Sequence, residues 1–316
     1  MVKYILKRLA LMIVTLFVIV TATFFLMNSM PGNPVRAQAK RLPEQVAQNM
    51  EHKYGLDKPL TSRYVMYVGN LLKGDLGDSF STPGRTTWDV VHDNMSPSAI
   101  IGLQSVAVGL VIGLLLGIIA AFNRETPVDY LVIFLAILGI SVPGFVLGTL
   151  LQAFVGGKFG LPIAGWYSSS DPASSHFAFT VLPTIALCFA GIATYARYMR
   201  ASVLDVISQD YILTAKAKGL SSRAIALKHI LRNAILPIVT ILGPQIAVII
   251  TGTVVIERIF SIPGIGNALV DAIFAKDYNI IMGLTLFFSA LYILSVLIVD
   301  ILYCVIDPRI KLEGSK

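Results

Sequence analysis

The stretch Asp210–Pro237, DYILTAKAKGLSSRAIALKHILRNAILP, decides how the chain is read. It carries Lys216, Lys218, Arg223, Lys228 and Arg232 against one acid, Asp210, and hydrophobic spans flank it on both sides. Gly219 breaks the pattern, and Ser221 and Ser222 follow as caps. This predicts a short helix, a glycine turn, and an amphipathic helix that runs into a membrane span. A short helix held between two spans on the cytosolic side is what a membrane protein presents to the groove of a soluble partner. On its residues alone the stretch also reads as a solvated loop that follows the excess of Lys and Arg on inner segments.

Composition sets the surroundings of this stretch. Of 316 residues, 55% are hydrophobic and 14% charged, with a mean hydropathy of +0.75. A soluble domain carries about 25% charged residues, so the chain is read as an integral membrane protein. Its net charge of +7 is therefore distributed by membrane side and does not indicate nucleic acid. Cys188 and Cys304 fall in predicted spans, far apart in sequence, and read as packing residues without a disulfide framework.

Six spans are expected. The first, Leu9 to about Met30, follows Lys3, Lys7 and Arg8 and is too long for a signal-peptide core. Residues 31–95 read as an extramembrane insert with two helices, one opened by Pro43 and Glu44 and stopped by Gly55. The other carries the stripe Leu60, Tyr64, Tyr67, Val68 and Leu71 and ends at Gly74. The run GDLGDSF, with Asp75 and Asp78, lacks the pattern and closing Glu of a calcium loop and reads as a turn. The second span, about Pro97–Phe122, repeats glycine at 109, 113 and 117, a smooth face for close helix approach. The third, Leu131 to about Gly156, is expected to kink at Pro143. The fourth covers about Phe177–Tyr195, the fifth about Ala234–Ile256 and the sixth about Ile281–Ile306. The chain then divides into 1–95, a core over 96–306 and a tail over 307–316.

Charge places both termini on the cytoplasmic side. The inner segments hold Lys3, Lys7, Arg8, Arg124, seven cations from Arg197 to Arg232, then Arg309, Lys311 and Lys316. The short outer segments hold Lys158, Arg258 and Lys276. Asp300, inside the last span, reads either as an ion site or as a structural carboxylate near the inner interface. The chain has no phosphate-binding Gly-rich loop ending in Gly-Lys-Ser/Thr, no His-Glu-x-x-His and no Gly-x-Ser-x-Gly. Catalytic and metal-ligand sets are accordingly expected to be absent, and energy is expected to come from a separate ATPase.

TAKAKGLS and LRNAILP resemble the cytoplasmic loop of ABC-importer permeases of the dipeptide/oligopeptide/nickel branch. Leu213 and Thr214 stand where the general signature has Glu and its first Ala. The interval from Gly219 to Pro237 is five residues longer than in that signature, and the peptide branch shares both departures. YGLDKPL, GDLGDSF, IERIFSIPGIGNALVDAIFAKDY and the terminal DPRIKL resemble the same branch, most closely its B-type oligopeptide subunits from Gram-positive bacteria.

The resemblance implies an all-α membrane protein with six transmembrane helices, the type I importer transmembrane domain, in a bacterial cell membrane. It implies a second homologous permease subunit, two ATPase subunits that carry ATP and magnesium, and an extracytoplasmic peptide-binding lipoprotein. Leu213, Thr214, Ala215, Lys216, Ala217, Lys218 and Gly219 would be the ATPase-coupling loop. Small and neutral polar residues, Ser141, Pro143, Gly144, Gln245, Thr251 and Thr253, are the expected lining of a path for oligopeptides. Dipeptides or nickel are the alternative cargo, although the spans offer no converging His, Cys or carboxylate set for a metal. A stand-alone carrier would call for buried ionisable groups and internal repeats. A simple membrane anchor leaves Pro143, Pro237 and Pro244 without a reason.

Overall fold

The computed structural model describes residues 2–30, 44–53, 55–167, 176–250 and 254–306. Helix dominates them, and the extended chain pairs only at an isolated bridge between Asp78 and Thr86 among the described residues. In chain order the helices are α1 (Val2–Ser29), α2 (Glu44–Lys53), α3 (Leu60–Leu71), α4 (Thr87–Phe122), α5 (Pro127–Ser141), α6 (Gly144–Phe154) and α7 (His176–Ile207). There follow α8 (Asp210–Ala217), α9 (Ser222–Ile225), a π-helical turn (Ala226–Leu231), α10 (Arg232–Ala234), α11 (Leu236–Ile250), α12 (Val254–Ile259), α13 (Ile265–Phe274) and α14 (Tyr278–Ile306).

Among the described residues, five helical runs are long and apolar enough to cross a bilayer, and six if α5 and α6 together count as one. The third span corrects the expectation of a kink, because α5 and α6 meet at 100°. Proline supplies the local cause of the interruption, though not its full angle. Pro143 forces the residue before it out of helical geometry, and Val142 sits at φ −86°, ψ 117° with Pro143 at φ −60°, ψ 136°. The fourth helix also exceeds its expected range, ending at Ile207 where Tyr195 was expected, because Met199 and Val203 continue its buried stripe. In the fifth, the apolar helical run already qualifies from Ser222 to Leu242. The expected tail and the DPRIKL run lie outside the described residues, as do the side chains of Asp300 and Cys304.

The chain divides into two compact units, Met1–Ser96 with Gly264–Leu294 and Pro97–Pro263 with Ser295–Lys316. In the first, α3 lies against α1. The Tyr64 hydroxyl is 2.7 Å from Thr21 Oγ1, and the Phe24 ring packs on both Tyr64 and Tyr67. Asp277, 1% exposed, anchors the 79–81 loop. Its carboxylate accepts from Ser79 Oγ at 2.5 Å, from the Phe80 and Ser81 N–H groups at 3.0 Å each, and from Ser81 Oγ at 2.8 Å. Several donors on one carboxylate offset the cost of burying it. GDLGDSF is a turn in which Asp75 Oδ1 accepts from the Gly77 N–H at 2.8 Å.

The second unit is built around α7. The α4 glycines rest on it. A Cβ added at Gly117 would lie 2.5 Å from the Ala196 carbonyl oxygen, and one at Gly113 would lie 2.8 Å from that of Ile192. Gly139 of α5 meets α7 at Ala193 in the same way, with 2.7 Å between Cβ atoms. Lipid tails are as apolar as the helix surfaces, so close backbone contact supplies much of the adhesion between these spans.

The glycine face predicts a graded series. Gly109 has only ordinary room problems, the nearest atom to its added Cβ being 3.4 Å away, so Gly109→Ala stays within about 1 kcal/mol of wild type. Gly117→Leu must push two backbones apart and costs about 3 kcal/mol. Thermal stability of the purified variants measures this, and equal losses at the two positions would contradict the packing described.

Candidate functional site

Helix α8 is short, and two residues on one side hold it. Ile212 is 1% exposed and Ala215 5%, and the i, i+3 spacing puts both on the same face. That face packs into a cluster with Ala121, Tyr195, Met199, Val203, Ile225, Ile230, Ala234 and Ile238. The lower half of α7, the π-helical turn and the start of α11 therefore form a rigid seat for α8. Asn233 Nδ2 donates to the Tyr211 hydroxyl at 3.0 Å and adds a polar tie between α8 and α10.

The C-terminal end is fixed by its hydrogen bonds. The Gly219 N–H donates to Lys216 O at 2.9 Å and the Leu220 N–H to Ala215 O at 3.3 Å, with Gly219 at φ +75°. This is a Schellman closure, in which a left-handed residue lets the chain turn back on the last carbonyls. Two residues on, Ser221 Oγ accepts from the Ala224 N–H at 3.3 Å and caps the next helix. Asp210 in the first turn and Lys216 in the last both suit the helix dipole.

Leu213, Thr214, Lys216, Ala217, Lys218 and Gly219 all face away from the seat. Leu213 is 69% exposed, and Tyr211 and Leu220 are exposed as well. The coupling set read from the sequence thus separates into an outward face and one inward residue, Ala215. Ile212, which that reading omitted, is the principal anchor. Its signal was the i, i+3 pair of Ile212 and Ala215 in an otherwise polar stretch. An apolar side chain flanked by Lys216 and Lys218 on a rigidly seated helix offers a partner both a hydrophobic knob and positive charge.

The expected path residues occupy three places. Ser141 and Pro143 are exposed at the break between α5 and α6, and Gly144 backs onto α7, its added Cβ 3.3 Å from Ala186 O. Gln245 is half-buried on α11, and Thr251 and Thr253 lie outside the described residues. Two polar contacts were not anticipated. Ser98 Oγ donates to Glu257 Oε1 at 2.7 Å, with Glu257 only 2% exposed, and Thr184 Oγ1 donates to Gln104 Oε1 at 3.1 Å. Glu257 was detectable as an acid beside the apolar VVI run.

At the start of α5, Asp129, 1% exposed, receives a two-pronged bond from Arg200 of α7, Nε to Oδ1 at 2.5 Å and Nη2 to Oδ2 at 2.7 Å. The Glu125 N–H donates to the same carboxylate at 3.0 Å. By its sequence position alone, Arg200 is one more inner-side cation.

The chain is similar to known transport proteins along nearly its whole length. The family model described as the binding-protein-dependent transport system inner membrane component matches residues 113–312, and the model for the N-terminal part of such membrane components matches 1–93. The dipeptide transport system permease protein of Lactococcus lactis is 43% identical over 99% of this chain and 100% of its own length. The corresponding protein of Bacillus subtilis is 42% identical, covering 99% of each chain. The oligopeptide transport system permease protein of Haemophilus influenzae is 39% identical over 98% of this chain and all of its own. A crystal structure of an amino acid ABC transporter with histidines aligns with a TM-score of 0.50 at 15% identity. It covers 70% of this chain and 94% of that one, a likeness of fold.

Proposed function

Because the chain belongs to the binding-protein-dependent transport system inner membrane components, we propose that it is one permease subunit of an ATP-driven importer of short peptides. The observation that carries this reading is the end-to-end match, at 39–43% identity, to permease proteins named for dipeptide and oligopeptide transport. Identities so close do not favour one peptide length. The reading of the spans, with small neutral polar residues at Ser141, Gly144 and Gln245, supports peptide backbones over nickel.

In this account, α8 is the piece that receives mechanical work. Its face of Leu213, Thr214, Lys216, Ala217 and Lys218 docks on an ATPase subunit, which holds ATP and magnesium. The Ile212 and Ala215 anchors transmit movement to α7 and α11. A second homologous permease completes the path, and an extracytoplasmic peptide-binding lipoprotein delivers cargo. Ser141, Pro143, Gly144, Gln245, Thr251 and Thr253 are proposed as path lining. The α5–α6 break is where backbone without helical bonds needs protein or water around it.

Extraction in mild detergent tests the partnership. The chain should co-purify with ATPase subunits in a stable complex, and recovery of the chain alone from cells expressing all the subunits would count against it. Orientation has its own test. In a background without Cys188 and Cys304, a cysteine at Phe159, 90% exposed, should react with an impermeant maleimide on intact cells, and one at the exposed Ser208 should not. The reverse pattern would invert the topology, which is argued from the distribution of Lys and Arg.

A further inference from the structure

The first unit contains a cavity of about 250 Å³ that peptide transport does not account for. It lies between the end of α1 (Phe24, Asn28), α3 (Arg63, Tyr67), the 75–80 turn and the first turn of α14. Its volume falls below the roughly 300–1,000 Å³ of pockets that enclose drug-sized ligands, so it suits a small polar group better than a folded peptide.

Its polar lining is incompletely used. The half-buried Arg63 guanidinium donates to the neutral Asn28 Oδ1, and it has no carboxylate partner among the described residues. Partial burial lowers its pKa from the ordinary value. The Tyr67 hydroxyl is buried with no partner among the described residues, and burial pushes its phenol up to about 12, so it remains a donor. Such groups are costly when left alone, and a cation beside a free O–H is complementary to phosphate oxygens.

The position identifies the source. α1 is an apolar span ending at Ser29, and Phe24 and Asn28 in its last two turns line the cavity, near where a bilayer gives way to water. α3 has the character of an interfacial helix, with Tyr64 and Tyr67 against α1 and Leu60, Val65 and Met66 exposed. We propose that this cavity binds the headgroup of a membrane phospholipid, with its phosphate held by Arg63 and Tyr67. Asp75 also lines the cavity, and its charge favours a headgroup that carries an ammonium, as in phosphatidylethanolamine, over a free or second phosphate. The proposal needs only that α1 spans the membrane and does not depend on the cargo.

Native mass spectrometry of the full-length chain, purified in the complex it forms in cells and then delipidated, tests this. Phosphatidylethanolamine, phosphatidylglycerol, inorganic phosphate and dialanine are titrated separately. Wild type should retain phosphatidylethanolamine in preference to phosphatidylglycerol. Arg63→Gln should weaken retention about tenfold, as loss of a charge-assisted bond requires, and Asp75→Asn should reduce the preference between the two lipids. Should Arg63→Gln fail to assemble, Tyr67→Phe, which removes one oxygen, should still weaken retention measurably. Retention unchanged in these variants would overturn the proposal, as would displacement of the lipid by inorganic phosphate or dialanine.

Discussion

Gly219→Val is expected to abolish peptide uptake and cargo-stimulated ATP hydrolysis while the chain still folds and inserts. Gly219 sits at φ +75°, and a left-handed backbone costs an ordinary residue about 1–2 kcal/mol, more for a β-branched one. No atom lies within 4 Å of an added Cβ, so the damage is confined to the turn. Opening the Schellman closure releases Lys216 O and Ala215 O and lets the end of α8 swing, while Ile212 keeps its seat. Gly219→Asn is the control, since Asn tolerates this region far better than Val. It should restore most of the uptake. Normal uptake by a well-expressed Gly219→Val variant would mean that α8 serves only as a basic anchor.

Arg200→Ala should be the most destabilising single change in the second unit. It strips the Asp129 carboxylate, 1% exposed, of both guanidinium bonds and leaves only the Glu125 N–H. Breaking a buried pair from one side costs about 3–5 kcal/mol. For a unit of this size that lowers the melting temperature on the order of 10 °C. The double variant Asp129→Leu/Arg200→Met removes the stranded charge and should recover most of the loss, because apolar replacements of buried pairs are often close to neutral. Thermal melts of the purified chain discriminate. If the double variant is as unstable as Arg200→Ala alone, the pair is not what joins α5 to α7.

Much of this architecture was legible in the residues because it rests on local rules. Gly109, Gly113 and Gly117 recur at helical spacing, and the structure places α7 on that face. Gly219 and Ser221 announced a helix end and a helix start, and both make the expected hydrogen bonds. What stayed hidden depends on distant partners. Nothing in the sequence pairs Arg200 with Asp129, 71 residues away, or Asp277 with Ser79, 198 away. The 100° turn at Pro143 also exceeds what one proline demands, since a kink would have satisfied the same local constraint. Similarly, Leu213 and Ala215 look alike in composition, and only the seat formed by α7 and α11 separates the outward residue from the inward one.

Passage of peptides through this chain, at the expense of ATP hydrolysed by partner subunits, is open to a direct test. The most direct measurement reconstitutes the complete complex in liposomes with its binding protein outside and ATP inside. It follows accumulation of labelled dipeptides, tetra- to octapeptides and radioactive nickel. The account predicts peptide accumulation that requires both ATP and the binding protein, without nickel uptake. Nickel accumulation without peptide uptake, or peptide entry that proceeds equally without ATP, would contradict it.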